Sequence, residues 1–396
     1  AFEEVYLALQ TGTIDGLDIT VRRAGADATA ELRGSISATQ DGNPLLHPTP
    51  LEASLSLKRK TLTFDARAVL PGANAATATG RHDLSTGRGN AVLALPAFRM
   101  TPGGGEFRAL APSVSGIDVQ SGTARADARL TWSAKGIDGT GNVAVTDMNF
   151  TDSSSGTAIQ DLSADIRLDR IIPPRTRPGQ IVRIGRIDAG VALTDLLLRF
   201  ALIEGAAKTV PAVQVETFRT GFAGGHLALT PTVIDSEADA IEATVRVERV
   251  DLAALLSAVG LDNISGTGRL NGVLPVKTAG NAVGITRGRL SASEPGILRI
   301  RSEAAKRALA QGGEQVTLML SALEDFRYKT LTLDIEKELA GQGRVVLRTR
   351  GQNPAVGDGQ PFVINLTLTG NVDGLAAVLA QALQLPGGVV RSMLAK

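Results

Sequence analysis

Along most of the chain, apolar and polar residues alternate one by one. In Glu52–Lys60, Leu55 and Leu57 fall on one face, and Ser54, Ser56 and Lys58 on the other. Over Thr61–Leu70, Leu62, Phe64, Ala66, Ala68 and Leu70 oppose Thr61, Thr63, Asp65 and Arg67. The same rhythm sets Ile241, Ala243, Val245 and Val247 against Glu242, Thr244, Arg246 and Glu248. It sets Leu331, Leu333 and Ile335 against Thr332 and Asp334, and Phe362, Ile364, Leu366 and Leu368 against Asn365, Thr367 and Thr369. A period of two predicts strands with one apolar and one wet face. It also predicts antiparallel pairing, because strands covered on both faces are apolar throughout.

Turn signals separate these runs: Asp15–Gly16, Asp41–Gly42, Pro71–Gly72, Asp138–Gly139, Gly224–Gly225, Gly312–Gly313 and Asp358–Gly359. They predict hairpins and meanders. Within Gly266–Val276, the glycines Gly266, Gly268 and Gly272 are expected to let a sheet bend or bulge. Three short helices are predicted. The first has Asp251 as N-cap and ends at Gly260. The second has Ser302 as N-cap and ends at Gly312–Gly313. The third starts near Asp373, carries Leu375, Val378, Leu379, Ala382 and Leu383, and stops before Pro386. Thr194–Gly205 fits either a helix or a strand. Ile171–Gln180, with three prolines, predicts a loop that is either a module boundary or a deep excursion. Thr101–Phe107 is a second loop. The strand units follow no fixed period, which argues against a structural β-solenoid.

Composition narrows the choices. Of 396 residues, 43% are hydrophobic, too many for a disordered chain. Only 3% are aromatic, so the apolar surface is Ala, Val, Leu and Ile. That disfavours a stacking platform for sugars or nucleic acid. With 41 basic and 40 acidic residues the net charge is +1, and no global field gathers a polyanion. The basic clusters Lys58–Lys60 and Arg344–Arg350 read as solvated strand faces. The absence of cysteine excludes disulfide scaffolds, thiolate zinc sites and thiol catalysis. No apolar run reaches the roughly 20 residues of a membrane-spanning helix; Val191–Ile203 is broken by Asp195 and Arg199. The chain begins AFEEVYLALQ, without Met, and reads as a mature product or an excised piece.

Reactive constellations are missing. His47, His82 and His226 lie far apart, without the ligand spacing of a metal site. Ser85, in Asp83–Gly89, lacks the first glycine of a nucleophile elbow. The glycines of Thr101–Phe107 are not followed by the lysine of a phosphate loop, and Gly136–Asp147 lacks EF-hand spacing. The residues therefore point to a non-enzymatic all-β protein with no cofactor and no metal.

Four segments of the last third occur in a fixed order: Val245–Val276, Gly284–Ile300, Leu320–Ile335 and Gly351–Leu379. They hold the short helix after Asp251–Leu252, SGTGRLNGVLPV, the Gly288–Arg299 unit, DFRY at Asp325–Tyr328, and the ending NP…NLTLTGN. This order resembles the YdbH-type branch of the AsmA-like proteins, which also carries the older label of a dicarboxylate transport domain. The resemblance covers Ile241–Leu383; Phe222–Asp235 is similar too. Residues before about 190 match only in style.

The resemblance implies a mainly β fold: a long, strongly curved antiparallel sheet folded into a taco-like open groove, with a few short helices. Residues 1–190 would form an N-terminal β-groove portion and 191–396 a C-terminal one, sharing one sheet. It implies a periplasmic bridge in the Gram-negative envelope that carries phospholipid acyl chains between inner and outer membranes and supports outer-membrane lipid homeostasis. Implied partners are phospholipid, a small outer-membrane lipoprotein added by strand pairing at the C-terminal end, and the inner membrane through an N-terminal helix absent from this chain. Placed on this sequence, the groove is expected to be lined by Val245, Val247, Leu270, Leu318, Leu320, Leu331, Leu333, Leu347, Ile364, Leu366 and Leu368. Phe362, Val363, Asn365, Thr367 and Thr369 are expected to form the partner edge strand. The alternative reading is a periplasmic component that binds a small dicarboxylate; it requires a compact pocket with convergent Arg or Lys.

Overall fold

The computed structural model describes residues 5–7, 10–40, 43–69, 75–102, 116–153, 155–206, 210–235, 238, 240–258, 264–279, 282–300, 318, 321–339, 342–370 and 379. Of residues 5–14, 38–47, 258 and 368–370 in this set, it describes the backbone only. The protein is mainly β, antiparallel and open, with very few helices. It divides into two compact units. The first takes Ala1–Gly190 and Arg199–Gln214, the second Val191–Leu198 and Val215–Gly388.

In the first unit, alternation and tight turns give a meander. Strands β1 (Val5–Leu7), β2 (Gln10–Ala24), β3 (Asp27–Gln40), β4 (Asn43–Lys58), β5 (Thr61–Ala68), β6 (Ala76–Asp83), β7 (Arg88–Met100), β8 (Ile117–Ser133), β9 (Gly136–Asp152) and β10 (Ala158–Arg170) each pair antiparallel with the next. After the two-residue β11 (Arg175–Thr176), β12 (Gln180–Asp188) returns along β10. The proline-rich Ile171–Gln180 is thus an excursion inside the first unit and marks no boundary. Its Thr176 is buried, and the Thr176 hydroxyl oxygen accepts the Leu202 amide hydrogen at 2.8 Å.

Thr194–Gly205 resolves to a strand, β13 (Ala192–Glu204). Leu196, Leu198, Phe200 and Leu202 point inward at every second position, and Arg199 points out. A left-handed Asp195 (φ 49°) resets the phase, so Leu193 is buried as well.

The chain continues with β14 (Pro211–Phe222), which passes from the first unit to the second at Val215, and then with β15 (Gly225–Leu229), β16 (Thr232–Ile234), β17 (Ile241–Asp251), helix α1 (Leu252–Ala258), β18 (Ile264–Gly266), β19 (Arg269–Ala279), β20 (Ala282–Ala292), β21 (Gly296–Ile300), β22 (Phe326–Lys337), β23 (Gly343–Gln352) and β24 (Phe362–Gly370). The antiparallel neighbours run β14, β15, β17, β19, β20, β22, β23, β24, with β18 and β21 forming a short side ladder on β22. Helix α1 forms where the sequence placed it: the Asp251 carboxylate accepts the Ala254 amide hydrogen at 2.9 Å, and Leu252 and Leu255 are buried. The helix predicted from Ser302 lies outside the described residues, and so does most of the one near Asp373.

The three glycines of Gly266–Val276 serve close approach. Leu252 packs onto Gly266, the Tyr328 hydroxyl onto Gly268 (φ 125°), and Leu290 onto Gly272. The register shift in this ladder falls between Val247 and Val250, around the left-handed Arg249. The tight spots hold glycine because a Cβ there would strike its neighbour, while the bulge sits on the adjacent strand.

Candidate functional site

In the first unit the alternation produces one continuous aliphatic surface. The register places Leu32, Ala53, Ala66, Ala78, Leu93, Ala128 and Gly141 side by side across β3–β9. A parallel row runs Ala30, Leu55, Phe64, Gly80, Ala91, Leu130, Gly139. All are half-buried except Ala30's row-mate Ala91, which is buried. The opposite face carries Arg33, Glu52, Asp65, Arg67, Thr79 and Arg129, all exposed. There Arg33 meets Glu52 at 3.7 Å, and Glu31 accepts the Ser54 hydroxyl hydrogen at 2.9 Å. Such exposed pairs are worth about 0–1 kcal/mol each; they keep that face in water.

Six strand spacings of about 4.8 Å make the stripe roughly 29 Å wide along the sheet. Half of a hydrocarbon core of about 30 Å, the span of one lipid tail, is about 15 Å. The surface therefore offers more than one tail length of aliphatic contact. It is smooth because Ala and Gly dominate it: Phe64 lies over Gly80, and Ile171 folds onto Gly139 (3.3 Å) and Gly141 (3.5 Å) from a Cβ position on each glycine.

One end of the stripe is marked by the chain's single tryptophan. Leu57, Leu62, His82, Gly89, Trp132 and Ile137 form the last row. The Trp132 indole lies on Gly89 and donates its Nε1 hydrogen to His82 Nδ1 at 3.0 Å; the rings stack with centroids 6.1 Å apart.

On β10 and β12 the apolar residues are covered. Leu162, Ile166, Leu168, Val182 and Ile184 are buried. In the second unit the register brings Val247, Gly272, Leu290, Leu333, Leu347 and Leu366 into one row across β17–β24. Leu331, Thr349 and Ile364 form the next. Of the expected lining residues, Val245 and Leu270 are 0% exposed, and Val247, Leu331, Leu347 and Ile364 are buried too. Leu333 and Leu366 are half-buried. Leu318 is in helical conformation and exposed. Leu320 and the side chain of Leu368 lie outside the described residues.

On β24, Val363 is 70% exposed, Asn365 and Thr367 are exposed, and Phe362 is half-buried; the Thr369 side chain lies outside the described residues. The strand pairs with β23 from Gly351–Phe362 to Gly343–Gly370, and among the described residues no strand pairs with its other edge.

Several charged groups on the second unit are paired. Asp334 accepts from Arg289 at 2.6 Å and from Arg348. The hydrogen bond from Arg289 holds its carboxyl below the usual range and raises the Arg289 guanidinium in return. Burial pushes the Tyr328 phenol up, aided by Glu294 and Asp251; its hydroxyl donates to Thr267 O at 2.6 Å. A pocket of about 680 Å³ lies among Lys277, Arg287, Glu336, Lys337 and Arg344. Glu242 takes Lys277 at 3.0 Å, Glu336 takes Arg344 at 2.8 Å, and Lys337 donates to two carbonyls. Lys277, Lys337 and Arg344 thus face their own partners, not a common centre, which disfavours a dicarboxylate pocket.

Sequence reasoning expected a groove portion in residues 1–190 but named lining residues only in the last third, and none on the half-buried rows of β3–β9. Their signal was present in Leu55, Leu57, Leu62 and Phe64; what was lacking was the register that joins such runs side by side. Trp132 carried a local signal too, as a lone aromatic one residue from a turn.

Among the described residues, no helix is long and apolar enough to cross a membrane. No curated protein and no solved structure shows a significant match to the chain. A family model described as YdbH-like, intermembrane phospholipid transport protein YdbH, matches residues 7–380. The open antiparallel sheet, its aliphatic face and this match across nearly the whole chain place the protein in the YdbH-like family, which transports phospholipid between membranes.

Proposed function

We propose that phospholipid tails travel over the aliphatic stripe of β3–β9, and that the half-exposed rows of Leu32–Gly141 and Ala30–Gly139 are what they touch. The observation that carries this reading is the continuity of that stripe: seven strands contribute an apolar side chain or a glycine to each row with no polar interruption. An acyl chain gains about 0.8 kcal/mol for each methylene it buries, and a surface without polar anchors lets it slide.

Residues 1–190 and 191–396 both belong to the conduit in this reading. In the C-terminal portion Leu333 and Leu366 are the positions open to a tail. Val245, Val247, Leu270, Leu331, Leu347 and Ile364 form the wall behind them, and Leu368 continues that row. The protein works in the periplasm, held at the inner membrane by a helix outside this chain. A small outer-membrane lipoprotein adds a strand to β24. Proline at Val363 or Asn365, whichever amide points outward, is expected to abolish that capture and leave the fold intact; capture that survives both changes removes edge pairing.

Photo-crosslinkers placed in cells test the path. Phospholipid is expected at Leu55, Leu93, Ala128, Leu333 and Leu366, and none at Thr79, Arg129 or Arg348 on the opposite faces. Equal labelling of both faces, or none on the stripe with working controls, overturns it.

A further inference from the structure

The hairpin turns at one end of β2–β9 carry an unbalanced charge. Because every strand reverses at its neighbour, the β2–β3, β4–β5, β6–β7 and β8–β9 turns share one rim. On or beside them stand Arg22, the run Lys58, Arg59 and Lys60, Arg88 and Lys135, all exposed. The acids there are Asp27, Asp83 and Asp138, and Asp138 accepts the Gly139 amide hydrogen at 2.8 Å. Asp83 is occupied within its own turn, where it accepts the amide hydrogens of Ser85 (2.7 Å) and Thr86 (3.1 Å), and these bonds hold its carboxyl below the usual range.

Two further observations concern the same rim. In the β4–β5 turn Arg59 and Lys60 both adopt left-handed backbone, with φ of 44° and 69°. Two-residue hairpins of this kind favour Asn-Gly, and a side chain in that region costs about 1–2 kcal/mol per residue. The turn therefore carries two cations where its geometry favours neither. One residue inward stands the Trp132–His82 stack, and beyond it the aliphatic rows. Aliphatic surface, then amphipathic aromatic, then Lys and Arg is the order of polarity across a membrane interface.

We propose that this basic rim binds the phosphate of the phospholipid headgroup while the tails lie on the stripe, so that lipid is held in one orientation, head towards the Lys58–Lys60 turn. The inference rests on the conduit reading above. Both sources of attraction are needed: the stripe takes the tails of any diacyl lipid, whereas the rim selects those with an anionic head.

The test uses the whole chain and vesicles containing either phosphatidylglycerol or diacylglycerol, which has the same tails and no phosphate. The variant is Arg59→Asn with Lys60→Gly, which removes two charges and suits the turn better, so unfolding does not confuse the result. Its charge-matched control is Arg67→Thr with Arg129→Thr on the opposite face. The rim variant is expected to take up phosphatidylglycerol at least about fivefold less well, with diacylglycerol uptake unchanged and the control like the original. Trp132, the sole tryptophan, supplies a second readout. A nitroxide on the headgroup should quench it more than one at the tail end. Equal phosphatidylglycerol uptake by the rim variant, a matching loss of diacylglycerol, or stronger quenching from the tail end overturns the inference alone. No uptake of either lipid by the original chain overturns the conduit reading and the inference together.

Discussion

Strands β3–β9 and strands β17–β24 are written in the same alternating code and end in different states. In β3–β9 Leu32, Ala53, Leu55, Phe64 and Leu93 stay half-buried. In β17–β24 Val245, Leu270, Leu274, Leu290 and Leu331 are at most 2% exposed. The difference lies in what the connections do. The described turns at the basic end of β3–β9 are hairpins of two to four residues, too short to fold back over a face. In the second unit, α1 interrupts the path between β17 and β18 and lays Leu252 onto Gly266. A short helical piece at 321–323 buries Ala322 and Leu323, held by the Asn353 amide, which donates to Ser321 O (3.1 Å) and Ala322 O (3.3 Å). An apolar strand face is a surface in search of a cover. Here one region supplies its own cover, while among the described residues the rows of the other stay half-buried.

The comparison breaks most readily at the core. Leu270→Ala is expected to cost about 2–5 kcal/mol in urea unfolding, and Leu93→Ala less than about 1 kcal/mol, because only the first opens a cavity. Equal losses would mean that the two faces are equally packed. Next in size is a charge on the open face. Leu93→Asp should lower phospholipid uptake at least tenfold, equivalent to about 1.4 kcal/mol, while the same change at Leu270 unfolds the unit. Uptake that tolerates Asp at Leu93 would remove the stripe from the path. Gly89→Ala should push the Trp132 indole off the strand, break its bond to His82 and shift its emission to the red, at about 1–3 kcal/mol; unchanged emission would show that the ring never rested there.

The smallest effect is on acid stability. Asp334 titrates below its ordinary value when folded, so its stabilisation is complete above the unfolded carboxylate range and is lost as pH falls through the folded value. The original chain should lose stability across that window by slightly more than Asp334→Asn does. Identical acid profiles would show that the Arg289–Asp334–Arg348 contact contributes nothing.

Much of this was legible in the residues. The strands β4 (from Glu52 to Lys58), β5, β17 and β24, and the cap at Asp251, follow from local pattern and hydrogen-bonding chemistry. Thr194–Gly205 was not decidable locally, because the left-handed Asp195 breaks the period inside the run. The glycines of Gly266–Val276 were read as hinges, yet they make room for Leu252, Tyr328 and Leu290, which come from distant segments. The lining residues were named where the family order was strongest, and most of those described are buried, which a period of two alone does not reveal.

By itself the sequence determined which side of each ribbon is greasy, since side chains alternate with a period of two whatever the surroundings. It also determined that no thiol chemistry takes part. Only the tertiary structure decided which greasy sides are covered and which lie bare, and which turns gather their cations on one rim. Those are properties of register and of segments meeting from far apart in the chain, and no local pattern encodes them.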